Sequence, residues 1–316
     1  MGIQLNLRNW FFLWSLCFST LLAASTVMAA SGEFDIREEA LFRKMVPPDA
    51  KLQKLAGDMK FVEGPVWVPS LEALIFSDIP ADELKSWIAA KGLQTFRKPS
   101  HNANGNTVDK QGRLITCEHS GRRVSRLEKD GSVKALVEQV DGKKFNSPND
   151  VAVKSDGSMW FTDPDYGLGG NKMEVPGCFV YRFDPASGKI APVVKDFDKP
   201  NGICFSPDES KLYVADSGRP RHIRVFDVQK DGTLSAGRVF CSIDKGGPDG
   251  IRCAPNGCVF SSAGDGVQIF AEDGKLVGKI LVPETPANLC FGGADGQTLF
   301  ITARTSLYSI PVKPKP

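Results

Sequence analysis

From residue 64 onwards the chain alternates short apolar runs with turns rich in Gly, Asp and Pro. Six units share this form: GPVWVPSLEALIFSD at 64–78, GNTVDKQGRLITCE at 105–118, DVAVKSDGSMWFTD at 150–163, GICFSPDESKLYVAD at 202–216, GIRCAPNGCVFSS at 250–262 and NLCFGGADGQTLFIT at 288–302. Turns such as Ser155-Asp156-Gly157 and Pro255-Asn256-Gly257 suit hairpins, because Gly supplies the positive φ they need. A second pair of strand-like segments follows most units, as at 124–136, 179–194, 223–235 and 267–280, giving about four strands per repeat. No such unit can bury both apolar faces alone, so the repeats must stack. Radial stacking of antiparallel four-stranded units makes a β-propeller.

The residue before each first strand is Glu63, Asn104, Asn149, Asn201, Asp249 or Ala287, and these positions lie 41, 45, 52, 48 and 38 residues apart. That spacing suits propeller blades. The expected fold is therefore all-β: a six-bladed β-propeller over 51–316 with a central metal site. The last repeat is one strand short, and a strand near Leu52–Leu55 is expected to complete it and close the ring. No long amphipathic helix is present; a charged lead-in over 30–50, with its best helical stretch at 33–46, is expected to be peripheral.

The N-terminus changes the picture of where the chain works. Arg8, the apolar run Trp10–Ala24 and the small or apolar residues Val27-Met28-Ala29 read as a signal peptide over 1–29, cleaved after Ala29. The run is about 15 residues, short of the roughly 20 needed to span a bilayer, so stable membrane insertion is not expected after cleavage. The expected location is exported, either periplasmic or secreted. The 39 basic and 37 acidic residues nearly cancel and form no block, which argues against a nucleic-acid partner. Seven cysteines follow the signal, an odd number, set mostly among β-type apolar residues as buried thiols. Cys253 and Cys258 flank a turn and are the one pair placed to bridge it. The absence of CxxC argues against a cysteine zinc site or thiol redox chemistry.

The first strand of a propeller blade lines the central channel, so the six residues that open those strands face the axis from one end. Five of the six carry a side-chain oxygen and two are carboxylates. Mixed carboxylate and amide oxygens suit a hard divalent cation, Ca²⁺ first, with Zn²⁺, Mg²⁺ or Mn²⁺ as alternatives. Simple turn capping by Asn and Asp is the competing reading. A second register about 14 residues later holds Asp78, Glu118, Asp163, Asp216, Ser262 and Thr302. It is read mainly as capping of backbone N–H groups, with substrate contact or support of the metal as the alternative. His101, three residues before Asn104, is expected in a loop over the channel mouth, with a role in substrate binding or proton transfer. His119 and His222 are expected to be structural or exposed.

The motifs Glu63-Gly64-Pro65-Val66-Trp67, Ser147-Pro148-Asn149-Asp150, Pro200-Asn201-Gly202 and Pro248-Asp249-Gly250 together resemble the senescence-marker-protein-30/gluconolactonase family, from about residue 55 to 312. The resemblance implies a six-bladed propeller with a divalent metal held by Glu63, Asn149, Asn201 and Asp249. It also implies that Asp249 serves as catalytic acid/base and that Asn149 is shared between metal and substrate. Ser147 stands where animal members carry a sugar-binding Arg, so their specificity does not transfer; the 101–106 loop looks more like bacterial and fungal gluconolactonases. The expected reaction is metal-dependent hydrolysis of a small sugar lactone, such as glucono-1,5-lactone, to the aldonate, with Asn104 and His101 binding sugar hydroxyls. The alternatives are hydrolysis of other lactones or esters on the same scaffold, or a non-catalytic binding propeller. No G-x-S-x-G, H-E-x-x-H, P-loop or G-x-G-x-x-G is present.

Overall fold

Six antiparallel sheets of four or five strands follow one another along the chain, with a two-stranded ribbon of Gln139–Val140 and Lys143–Lys144 between the second and third, in a computed structural model that describes residues 32–314; the expected signal peptide at 1–29 lies outside the described residues. Blade 1 comprises the strands Val62–Val68, Ala73–Asp78, Glu83–Ile88 and Gly92–Arg97. Blade 2 runs from Ala103–Val108 to Val133–Val137, blade 3 from Val151–Val153 to Lys189–Val194 and blade 4 from Pro200–Phe205 to Arg238–Ser242. Blade 5 runs from Ile251–Cys253 to Leu276–Leu281. Blade 6 contains Pro286–Gly292, Thr298–Ala303 and Ser306–Pro311, and its fourth strand is Gln53–Ala56, paired antiparallel to Ser306–Pro311. The ring is thus closed by the N-terminal segment, as expected from the missing strand. The six first strands contact one another in a complete cycle, blade 6 returning to blade 1.

The position of each strand in its blade decides its composition. Second strands such as Ala73–Asp78 and Met159–Asp163 lie between neighbouring blades and are buried along their whole length. They therefore read as near-continuous apolar runs, including Leu74-Ile75-Phe76 and Met159-Trp160-Phe161. Outer strands such as Lys189–Val194 are only partly covered, with Lys189 and Ala191 exposed and the residues between and after them partly or fully buried.

The lead-in is more than a peripheral appendage. Phe34–Ile36 adds a fifth strand to blade 5 by pairing with Leu276–Leu281, and the helix Glu39–Met45 follows. Phe42 and Met45 are fully buried against Val277 and Ile280. Each such side chain contributes about 1.5–3 kcal/mol on burial, so the segment helps hold blade 5. Its apolar positions are too few for a periodic signal in the sequence. All seven described cysteines are free. Cys253 pairs across the hairpin with Val259 rather than Cys258, so the two thiols point to opposite faces of the sheet and do not bridge.

Candidate active site in the channel

The channel residues owe their direction to local breaks in the first strands. The register shifts between Glu63 and Val66, between Ala103 and Asn106, between Pro200 and Ile203, and between Pro286 and Asn288. A bulge turns the side chains at its extra residue out of the pleat, here towards the axis. Close packing between blades makes the next position small. Gly105 donates its N–H to the Asn149 carbonyl at 2.7 Å, Gly202 to that of Asp249 at 3.1 Å and Gly250 to that of Ala287 at 2.7 Å. A Cβ on Gly64, which has φ +52°, would sit 2.0 Å from the Asn104 carbonyl oxygen. The Gly that follows Glu63 is therefore demanded by the seam between blades.

The second register pins the approach to these strands. Asp78 accepts from the N–H groups of Lys60 and Phe61, Asp163 from Asn146 and Ser147, and Asp216 from Asp198 and Lys199. In each case the donors lie three and two residues before the channel residue Glu63, Asn149 or Asn201. Capping is thus the role of these three carboxylates. Glu118 departs from them, accepting from Ser125, Arg97 and Arg123. Strand pairing corrects the last two members of the register: Ala263 and Ala303 hold the position, one residue after the expected Ser262 and Thr302. The displaced hydroxyls bond channel-strand carbonyls instead, Ser262 to Ala287 and Thr302 to Asn288, as Ser77 and Thr162 do to Asn104 and Asn201.

Three side-chain oxygens in the channel are buried and have no protein partner: Asn104 Oδ1, Asn149 Oδ1 and Asp249 Oδ1. Buried acceptors are ordinarily satisfied, so three such oxygens on channel-lining residues are suited to a cation or to a substrate donor. Glu63 is 3% exposed, and one of its oxygens accepts from Gly64 N–H at 2.6 Å. Burial, with a further push from Asp150, raises its pKa to about 7, against the hydrogen bond from Gly64. Asp249 contacts both Glu63 and Asn201; burial and then the Glu63 charge drive its pKa well above the ordinary carboxylate range. Two facing carboxylates with no cation between them disfavour full ionisation, and a divalent cation removes that conflict.

Asp150 is fully buried beside these acids, and its Oδ2 accepts from Arg252 Nη1 at 3.1 Å. Glu63, Asp249 and Asp150 against Arg252 leave two negative charges, the complement of one divalent cation. Asp150 is spoken for by Arg252 and by the N–H of Val151. Among the described residues no three His, Cys, Asp or Glu side chains form a metal-ligand cluster, so amide oxygens are needed to complete any cation shell. The residues present fit a hard, oxygen-seeking ion and offer it no imidazole or thiolate.

Sequence reasoning missed several members of this site. His119 is buried, and its Nε2 lies 3.1 Å from Asn104 Nδ2. Burial lowers its pKa to about 4, so the neutral ring accepts from the amide and leaves Asn104 Oδ1 facing the channel. Asn288, one residue past the ring position Ala287, lies beside Glu63 and works against the rise of its pKa. The Arg252–Asp150 pair joins residues 102 apart in sequence, and only the ring closure brings them together. His101 is exposed, in a left-handed backbone conformation with φ 59°, and its carbonyl accepts from Ser120 N–H. Grooves on the rim, one of them lined by Arg126, Lys134, Phe183 and Ile190, contain none of the channel residues.

Comparison with known proteins places this channel among relatives. The sequence profile of the SMP-30/Gluconolactonase/LRE-like region matches residues 61–305. A gluconolactonase of Zymomonas mobilis is 32% identical over 311 residues, covering 89% of this chain and 85% of that protein. The solved structure of a gluconolactonase of Xanthomonas campestris superposes with a TM-score of 0.84 at 35% identity, covering 88% of this chain and 94% of that one. A calcium-binding regucalcin of Agrobacterium tumefaciens, at 22% identity and a TM-score of 0.69, shares the fold over 82% of this chain and 95% of its own. With its repeat, its ring of channel oxygens and these matches, the chain belongs to the SMP-30/gluconolactonase/LRE-like family.

Proposed function

We propose that the channel hydrolyses a sugar lactone of the glucono-1,5-lactone type to the aldonate. The observation that carries this reading is the convergence of the orphaned oxygens of Asn104, Asn149 and Asp249 with Glu63 in one channel, on a chain whose relatives include gluconolactonases. Glu63, Asn149, Asn201 and Asp249 would hold a divalent cation, Ca²⁺ by the all-oxygen donor set. When bound there, such an ion polarises the lactone carbonyl and offsets the charge that grows on its oxygen.

The chain's own residues supply the rest. Asp249 takes a proton from the attacking water and returns it to the ring oxygen as the ester C–O bond breaks, giving a free hydroxyl and a carboxylic acid that ionises to the aldonate and releases its proton to solvent. Burial, and then the Glu63 charge, make the proton affinity of Asp249 high in the metal-free protein, and a cation held beside it would lower that affinity towards the range of a general base. Asn104, held by neutral His119, presents an acceptor oxygen to a substrate hydroxyl. Arg252 pairs with Asp150 and so leaves no third unpaired carboxylate beside Glu63 and Asp249.

The test is proton release from glucono-1,5-lactone by the mature protein and by Asp249→Asn. The expected loss in kcat is about 10²–10⁴-fold, the range for removing a general acid/base. A parent rate no greater than spontaneous hydrolysis, in folded and metal-loaded protein, would refute the reading. We also infer export from the N-terminal sequence; a secreted or periplasmic chain whose mature form begins at Ala30 is the expected product, checked by N-terminal sequencing.

A further inference from the structure

One loop at the channel mouth is unlike its counterparts. The connection between second and third strands takes two to five residues in five of the blades, but residues 164–178 in blade 3. This loop is tied down over the site. Ser147 Oγ donates to the Pro164 carbonyl at 2.6 Å and accepts from Gly167 N–H at 2.9 Å. Further along, Glu174 accepts from Arg122 at 3.0 Å and from Lys144 N–H at 2.9 Å. Gly167 lies directly on His119: a Cβ there would meet the ring at 2.4 Å. The segment 164–167 therefore rests on the same imidazole that orients Asn104.

Between these anchors stands Tyr166, 49% exposed although most large aromatic side chains of the protein are covered. The Lys199 ammonium lies 5.8 Å from its ring centroid and is ion-paired with Asp165. Lys199 is two residues before Asn201. The Tyr166 hydroxyl is beside Ser217, whose Oγ donates at 2.5 Å to the carbonyl of Pro248, the residue before Asp249. Partial burial, and then the nearby Asp249 charge, push the phenol up to about 12. Tyr166 thus reaches from blade 3 across blade 4 towards the entrance of Asp249, with Asn104 and His119 behind it.

From this placement we infer that Tyr166, with the Asp165–Lys199 pair, is the specificity-determining wall of the site, binding the hydroxyl-bearing part of a polyhydroxylated lactone. The inference rests on the lactonase reading above. An aromatic face bordered by a phenol, an ammonium and a carboxylate offers an apolar surface to the C–H face of a sugar ring and donors and acceptors to its hydroxyls. The wall is placed to meet the hydroxyl-bearing part of the substrate, so it acts on binding and not on the bond-breaking step. Discrimination by hydroxyl recognition follows, because a lactone without hydroxyls leaves those polar groups unpaired.

The experiment measures kcat and KM of the metal-loaded mature protein, Tyr166→Phe and Tyr166→Ala. The substrates are glucono-1,5-lactone and δ-valerolactone, which has the same ring and no hydroxyls. Tyr166→Ala is expected to raise KM for the sugar lactone about 10- to 100-fold with kcat within about threefold, and Tyr166→Phe to raise it about three- to tenfold. δ-Valerolactone, whatever its rate, is expected to change less than about threefold in both variants. An unchanged KM for the sugar lactone, a loss carried by kcat, or equal losses on the two substrates would overturn the inference while leaving the lactonase reading intact. A parent that hydrolyses neither substrate would overturn both.

Discussion

Blades 1, 3 and 4 hold their channel residues by one device, and blade 5 uses another. In the first three, an aspartate at the end of the second strand clamps two backbone N–H groups just before Glu63, Asn149 or Asn201. In blade 5 that position is Ala263, and the approach to Asp249 is secured from outside. Ser217 of the neighbouring blade bonds the Pro248 carbonyl, and the buried Lys279 ties Asp244 to Asp265. The three clamped residues would serve as fixed ligands in the proposed site, whereas Asp249 would also exchange a proton. A further carboxylate beneath Asp249 would add to the repulsion that Glu63 and Asp150 already impose. An alanine in the capping register avoids that cost.

The largest effect on stability is expected at the pair that joins the two kinds of blade. Arg252→Met leaves the Asp150 carboxylate buried without its guanidinium partner, and a loss of about 3–5 kcal/mol should appear in denaturant unfolding. Adding Asp150→Asn to that variant should restore most of the loss; a double variant as unstable as the single one would show that Arg252 matters for packing and not for charge. Next comes the clamp itself. Asp163→Ala strands two buried N–H groups, with an expected cost of about 2–4 kcal/mol, whereas Ser217→Ala in the blade 4–5 contact should cost only about 1 kcal/mol. Equal costs would erase the distinction drawn between the blades.

A further expected effect is on pH dependence. Glu63 has its pKa raised from 4.5 to about 7 in the folded, metal-free protein. The folded state therefore holds this proton more tightly than the unfolded chain does. The stability so gained is complete below about 4.5 and is lost as pH rises through about 7. The metal-free protein should melt several degrees lower at pH 8 than at pH 5, while a cation-loaded sample should not show this decline, since the bound charge replaces the proton. Scanning calorimetry across that range checks the sign.

Much of this architecture is legible in the sequence because a propeller writes the same local problem six times. The recurrence of apolar run, turn and apolar run exposes the blades, and the oxygen-bearing residues at one register expose the ring. What stays hidden is whatever depends on contacts between non-equivalent loops. His119 looks like a loop residue until Gly167 of the next blade covers it and Asn104 bonds it. Arg252 reads as one more polar residue on a strand, since its partner Asp150 belongs to a blade two steps away around the ring. The capping register slips by one in blades 5 and 6 because polar residues occupy the neighbouring position as well, and only strand pairing tells Ser262 from Ala263. The burial of Phe42 and Met45 under blade 5 likewise follows from where the lead-in docks, which no local pattern encodes.

The central claim is that the channel oxygens form one divalent-cation site on which lactone hydrolysis depends. The direct measurement is calorimetric titration of Ca²⁺ into chelator-treated mature protein, followed by assay of the same samples on glucono-1,5-lactone. One bound ion per chain, activity restored in step with occupancy, and loss of both in Glu63→Gln are the predicted results. Undiminished hydrolysis in chelator-treated protein that binds no ion would contradict the account.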